Sequence, residues 1–208
     1  MMGMKKIVST RILFYSLWLL ISFVQAAGTE LFDDEAYYWV YSKFLDWGYF
    51  DHPPMIAVMI KLGTLVFAGE LGVRLFVVLM GTASIFLIEK LTQPKDQKLF
   101  YALVLNMAVL QIGGIIAVPD IPLLFFTALF FLAYRNYTTK NSWITAVYLA
   151  IVVALLLYSK YHGLLLVLAT LSSNWKLLKQ PLTWLVIAAA IAMFMPHVLW
   201  QLEHGLPS

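Results

Sequence analysis

Seven apolar runs, at roughly 11–27, 71–91, 99–118, 121–135, 143–158, 161–174 and 181–200, constrain this chain more than any other feature. A helix needs about 20 apolar residues to cross the hydrocarbon of a bilayer, and several runs approach that length. Backbone polar groups in lipid must be satisfied internally, which leaves helices or a closed barrel, and no period-two alternation marks barrel strands. The expected fold class is therefore all-α: a polytopic integral membrane protein with about seven transmembrane helices. Composition agrees. The chain is 62% hydrophobic and 12% charged, where a soluble domain carries about 25% charged residues. With no cysteine present, disulfide frameworks and thiolate metal sites are excluded. The pI near 9.0 does not signal nucleic acid, because the positive charge is scattered among short loops and no basic run interleaves with aromatics.

That charge has a topological meaning. With the N-terminus inside, Lys5, Lys6, Arg11, Lys90, Lys95, Lys98, Arg135, Lys140, Lys176 and Lys179 are cytoplasmic, ten of the fourteen basic residues. Only Lys43, Lys61, Arg74 and Lys160 fall on the other side. Enrichment of Lys and Arg in cytoplasmic loops sets orientation. The expected localisation is the cell (inner) membrane, multi-pass, with a cytoplasmic N-terminus. Nine of the eleven acids fall outside, leaving Glu89 and Asp96 within. Acids contribute little to topology, so their concentration outside needs another cause. The opening "MKKIVSTRILFYSLWLLISFVQAAG" also has the basic start, apolar middle and small-residue end of a signal peptide. On either account residues 28–70 reach the outer face.

Residues 28–70 form the one substantial extramembrane segment, an outer-face loop. Within it "DDEAYYWVYSKFLDWGYFDHPP", residues 33–54, gathers five acids, eight aromatics, a histidine and two prolines. Gly48, Pro53 and Pro54 interrupt any helix here. The pattern predicts one helix of about 34–46 with Asp33 as N-cap, and a second of about 55–67. Both are expected to lie at the interface, held by aromatic rings. In the first, Asp34 and Tyr38 share a face with Tyr41 and Leu45.

Several residues here suit chemistry. Asp33, Asp34 and Glu35 are either a solvated capping edge or a general base and cation site at the lipid–water boundary. His52, biased to extended backbone by the following proline, is a turn histidine or a group for phosphate, leaving group or metal. Arg74 and Lys160 adjoin apolar runs, where a charge snorkels or faces a polar cavity. Both are candidates to neutralise an anionic substrate. Asp120, framed by Pro119 and Pro122, either caps the next helix or adds a second carboxylate. No P-loop, G-x-G-x-x-G, H-E-x-x-H or G-x-S-x-G element occurs, which argues against ATP-driven transport, zinc proteolysis and lipase chemistry. Three function classes fit: an enzyme, a transporter or flippase of an anionic lipid or solute, and a non-catalytic or degenerate membrane paralogue. A transporter places polar residues at the midplane in broken helices. Here they cluster near one face, which favours the enzyme.

The motifs "DEAYYWVYSKFLDWGYFDHPPM", "GELGVRL", "VPDIPLLFF", "YSKYHGLLL" and "WQLEHGLPS" occur in this order and cover most of the chain from residue 30 onward. In them the chain resembles the GT-C type membrane glycosyltransferases, and within these glycosyltransferase family 39, which includes protein O-mannosyltransferases and lipid A aminoarabinose transferases. The resemblance implies a polyprenyl-phosphate sugar donor, a lipid, glycan or protein acceptor, and inverting transfer on the outer, periplasmic face. It places the catalytic base on Asp34, with Glu35 as its partner. His52 and Asp120 fall in the active-site region, Arg74 and Lys160 at the donor phosphate, and Tyr38 and Tyr161 among the donor- and substrate-binding groups. The resemblance names no certain cofactor beyond the divalent metal ion that some relatives bind near these acids. Where relatives bind a divalent metal ion, the matching residues here are Asp34, Asp120 and His52. Family members have more membrane spans and often an outer C-terminal domain. Residues 1–208 are accordingly expected to be the N-terminal part of a GT-C transmembrane domain, with 28–70 its first outer loop.

Overall fold

The computed structural model describes residues 2–207, with side chains described from residue 10 onward. Among them there is no strand, in agreement with the all-α expectation. The first long helix, α1 (Met2–Gly28), leads into segment 28–70, which carries α2 (Asp33–Lys43) and α3 (Met55–Thr64). Next come α4 (Gly69–Thr92), α5 (Gln97–Asn106) and α6 (Ala108–Gly113). The chain then forms α7 (Asp120–Lys140), α8 (Trp143–Ser159) and α9 (His162–Ser173). A 3₁₀ turn (Trp175–Lys179) precedes α10 (Pro181–Glu203).

Local chemistry explains the boundaries. Asp96 accepts from the Lys98 and Leu99 amides at 2.9 and 3.1 Å and so starts α5. Ser142 starts α8 in the same way. Left-handed Gln93 and Asn141 end α4 and α7. The expected N-cap at Asp33 is corrected: Phe32 is the cap residue and Asp33 the first helical one. The helix also stops at Lys43 rather than at 46, so Leu45 lies beyond it and is exposed. The apolar run 99–118 is not one helix, since the backbone breaks at Met107. There the Asn106 amide donates to the Ala102 carbonyl and the Gln111 amide to the Leu105 carbonyl. Side-chain amides thus satisfy carbonyls near the break, where the regular ladder stops.

α4 is central, its apolar stretch more than half buried, whereas those of α1 and α10 lie mostly outside the core. These three are the described helices long and apolar enough to cross a membrane. Ile12, Leu13, Leu20 and Val24 of α1 and Trp184, Ile191 and Leu199 of α10 face outward. An apolar surface of that extent is stable against lipid and not against water. α7, α8 and α10 share a core of Phe126, Phe130, Ala150, Leu156 and Val186. α3 packs Ile56, Met59 and Ile60 against Val73 and Val77 of α4. Gly63 and Gly72 permit that close approach, because a Cβ on Gly63 would overlap the Gly72 carbonyl, and one on Gly72 the Phe67 carbonyl in the turn before α4.

Candidate active site

The acidic start of α2 is divided by its neighbours. Asp34 is exposed, whereas Glu35 is fully buried. Glu35 meets Arg74 of α4, also fully buried, in a two-pronged ion pair: Nε to Oε1 at 2.7 Å and Nη2 to Oε2 at 2.5 Å. The remaining Arg74 N–H groups donate to the Ala26, Thr29 and Glu30 carbonyls and the Thr29 hydroxyl at 2.7–3.2 Å. Glu35 in turn accepts from the Phe32 amide at 3.0 Å and the Ala117 amide at 2.8 Å. A buried charge pair is tolerable when every donor and lone pair is used this fully. The pair fastens α2 to the end of α1, to α4 and to the loop before α7. Arg74 is therefore not placed to meet a donor phosphate, as expected of it; its five donors are all spent inside the protein.

Around Tyr38 the groups expected to act do gather. Tyr38 is buried on the inner side of α2. Burial, and then the carboxylates of Asp34, Asp51 and Asp120 together with Tyr41, push its hydroxyl up to about 12. Asp34 and Asp120 thus act on one hydroxyl although 86 residues separate them (120 − 34). The His52 ring lies 5.9 Å from that of Tyr38. Burial and the Lys160 ammonium lower the His52 pKa, with Asp51 and Asp120 opposing, so the ring is neutral near pH 7. Its Nδ1 is buried without a hydrogen-bond partner. Lys160, at the C-terminal end of α8, pairs with Asp120 at the start of α7, Nζ lying 2.9 and 3.0 Å from the two carboxylate oxygens. Tyr37 donates to Asp51 at 2.8 Å, and Tyr41 stacks on Tyr49 at 4.0 Å and 8°.

Among the described residues no three His, Asp or Glu side chains lie close enough to hold a metal ion. Asp34, Asp120 and His52 do not make a preformed cation site, and no chemical step is assigned to one.

A polar chain inside α10 went unpredicted. His197, 1% exposed, bonds the Trp47 carbonyl through Nδ1 at 2.7 Å. A carbonyl only accepts, so Nδ1 carries a proton, and Nε2 is hydrogen-bonded to the Tyr161 hydroxyl at 2.9 Å. The Gln201 amide donates to that hydroxyl at 3.0 Å. Tyr161, which the resemblance places among the donor- and substrate-binding groups, links the α8–α9 turn to α10, and His197 fixes the segment after α2 at Trp47. Gly48 beside it packs flat on the Trp200 ring, with no room for a Cβ. The signal was present in the sequence: an ionisable residue within a spanning segment is a functional or structural hypothesis by default.

Residues 51–200 match the family model of dolichyl-phosphate-mannose-protein mannosyltransferases. The lipid A galacturonosyltransferase RgtD of Rhizobium johnstonii is 27% identical over 205 aligned residues, which span 93% of this chain and 43% of the relative. The chain therefore covers less than half the length of that protein. No solved structure matches it. The family match covers well over half of the chain, which belongs to the dolichyl-phosphate-mannose-protein mannosyltransferase family of GT-C type membrane glycosyltransferases.

Proposed function

We propose that residues 1–208 are the N-terminal part of a GT-C transmembrane domain and carry the outer-face active-site loop of an inverting glycosyltransferase. The donor is a polyprenyl-phosphate sugar and the acceptor a hydroxyl on a lipid, glycan or protein at the outer surface of the cell membrane. The observation that carries this reading is that Asp34, Asp51 and Asp120 all bear on the Tyr38 hydroxyl, with His52 beside its ring and Lys160 paired to Asp120, on the loop that the Glu35–Arg74 pair holds in place. Asp34 is the exposed carboxylate of the acidic pair, free of the ion pair that occupies Glu35.

In this scheme Asp34 takes the proton of the acceptor hydroxyl as its oxygen attacks the anomeric carbon. The bond from that carbon to the polyprenyl phosphate breaks, and the electron pair leaves with the phosphate. Single displacement inverts the centre. Charge develops on the leaving oxygen, so a fixed cation there lowers the barrier. With Arg74 committed elsewhere, Lys160 supplies that charge, positioned by Asp120. Neutral His52 and Tyr38 hydrogen-bond the phosphate or sugar, and the Tyr41 ring, stacked on buried Tyr49, lines the place for the sugar ring.

The test is Asp34→Asn in the gene product as expressed in its own membrane, assayed for sugar transfer from polyprenyl phosphate. Transfer falls by about 10²–10⁴-fold, the usual worth of a positioned general base, with unchanged expression and thermal stability. A variant that retains the parental rate removes Asp34 from the role of base.

A further inference from the structure

The end of the bundle opposite the candidate active site carries a second polar cluster that the proposed reaction leaves unused. Glu89 of α4, 4% exposed, accepts from the Tyr15 hydroxyl at 2.6 Å, the Tyr101 hydroxyl at 3.2 Å and the Gln97 amide at 3.4 Å. Arg11 of α1 completes the cluster, its Nε 3.4 Å from Glu89 and its guanidinium carbon 4.8 Å from the centre of the Phe86 ring. An ion pair and a ring face thus hold this guanidinium in place although its side chain is 37% exposed. No other described residue bonds its two terminal nitrogens.

From Arg11 a groove of about 520 Å³ runs along the seam of α1 and α4, lined by Ile12, Tyr15, Leu19, Leu79 and Phe86. It follows α1 from Arg11 to Leu19, about 12 Å at the helical rise. Apart from Arg11 no charged side chain lines it, and the Thr82 hydroxyl in its floor is turned back on the Val78 carbonyl. Both walls belong to helices long and apolar enough to cross a membrane. Exposed Lys90, Lys95 and Lys98 surround the same end, so the field at the mouth favours an anionic headgroup.

We propose that this groove binds an anionic glycerophospholipid of the leaflet at that end, one acyl chain lying along the α1–α4 seam and Arg11 donating to the headgroup phosphate. The chemistry is that of a phosphodiester with net negative charge beside an alkyl chain. The site is independent of the transfer reaction. It is tested by a readout that does not involve activity.

The experiment is native mass spectrometry of the gene product purified from its own membrane and exchanged into micelles doped with phosphatidylglycerol or phosphatidylcholine. The protein retains one phosphatidylglycerol, about tenfold more readily than phosphatidylcholine. Arg11→Gln lowers that retention about tenfold, the scale of losing one charge-assisted contact, while Arg11→Lys keeps most of it. Ala83→Trp, which fills the groove and leaves Arg11 in place, abolishes retention of both lipids. Equal retention of the two lipids by the parent overturns the proposal. So does unchanged phosphatidylglycerol retention in either Arg11→Gln or Ala83→Trp.

Discussion

Asp34 and Glu35 are chemically near-identical neighbours with opposite fates. One is exposed at the candidate site, and the other is sealed against Arg74. Removing one member of such a pair leaves an uncompensated buried charge. Glu35→Gln or Arg74→Met is therefore expected to lower stability by about 3–5 kcal/mol, measured by denaturant unfolding in detergent. Arg74→Lys recovers little, since an ammonium cannot make the two-pronged contact or reach the Thr29 and Glu30 carbonyls together. Wild-type unfolding of the Lys variant refutes the bidentate lock. His52 allows a second test. Its folded-state pKa is depressed by burial and by Lys160, with His162 adding to the effect and Asp51 and Asp120 opposing it. Protonation therefore works against the fold, and this contribution to stability is lost as pH falls below about 6.5 towards the folded-state pKa. Lys160→Met removes a neighbouring positive charge and releases Asp120 from its partner, so the His52 titration, followed by imidazole NMR, moves upward. A downward move or none shows that Lys160 does not act on the ring.

At the scale of elements, α2 and the segment after it are tied down by different devices. The Glu35–Arg74 pair holds α2. The segment after α2 is held by Tyr49, which donates to the Tyr41 and Phe44 carbonyls, and by His197 of α10 at the Trp47 carbonyl. His197→Phe removes that last tie, and the segment 44–54 opens about tenfold more often, the equivalent of one net hydrogen bond. Amide hydrogen exchange over these residues reads the effect. His197→Asn keeps an amide donor near the Nδ1 position and restores much of the protection. Equal exchange in all three proteins shows that α10 does not govern the loop.

At the scale of the whole molecule, the paired contacts fix which helix ends lie together. Tyr137 of α7 meets Thr183 of α10 at one end, and Asp120 meets Lys160 at the other. The lack of native cysteine allows a direct test of sidedness. Lys43→Cys and Lys140→Cys, both exposed, are expected to react with an impermeant maleimide from opposite faces of the membrane, Lys43→Cys from outside. Labelling of both from one face overturns the orientation set by the basic loops. The apolar runs were legible because hydropathy is a local property: lipid demands a helix wherever a run is long enough, whatever it packs against. The break at Met107 was not, because it depends on where Asn106 and Gln111 turn their amides. The acids, His52 and Lys160 were legible as polar residues near one face. Their division of labour was not. Whether Arg74 meets a substrate or Glu35, and whether Tyr161 meets a donor or His197, is decided by side chains 36–39 residues away in sequence. The sequence by itself determined an all-α membrane chain with its polar groups drawn to one loop. Only the tertiary structure decided which of those groups are buried as fastenings and which remain exposed for chemistry, because burial is a property of the neighbours that packing brings.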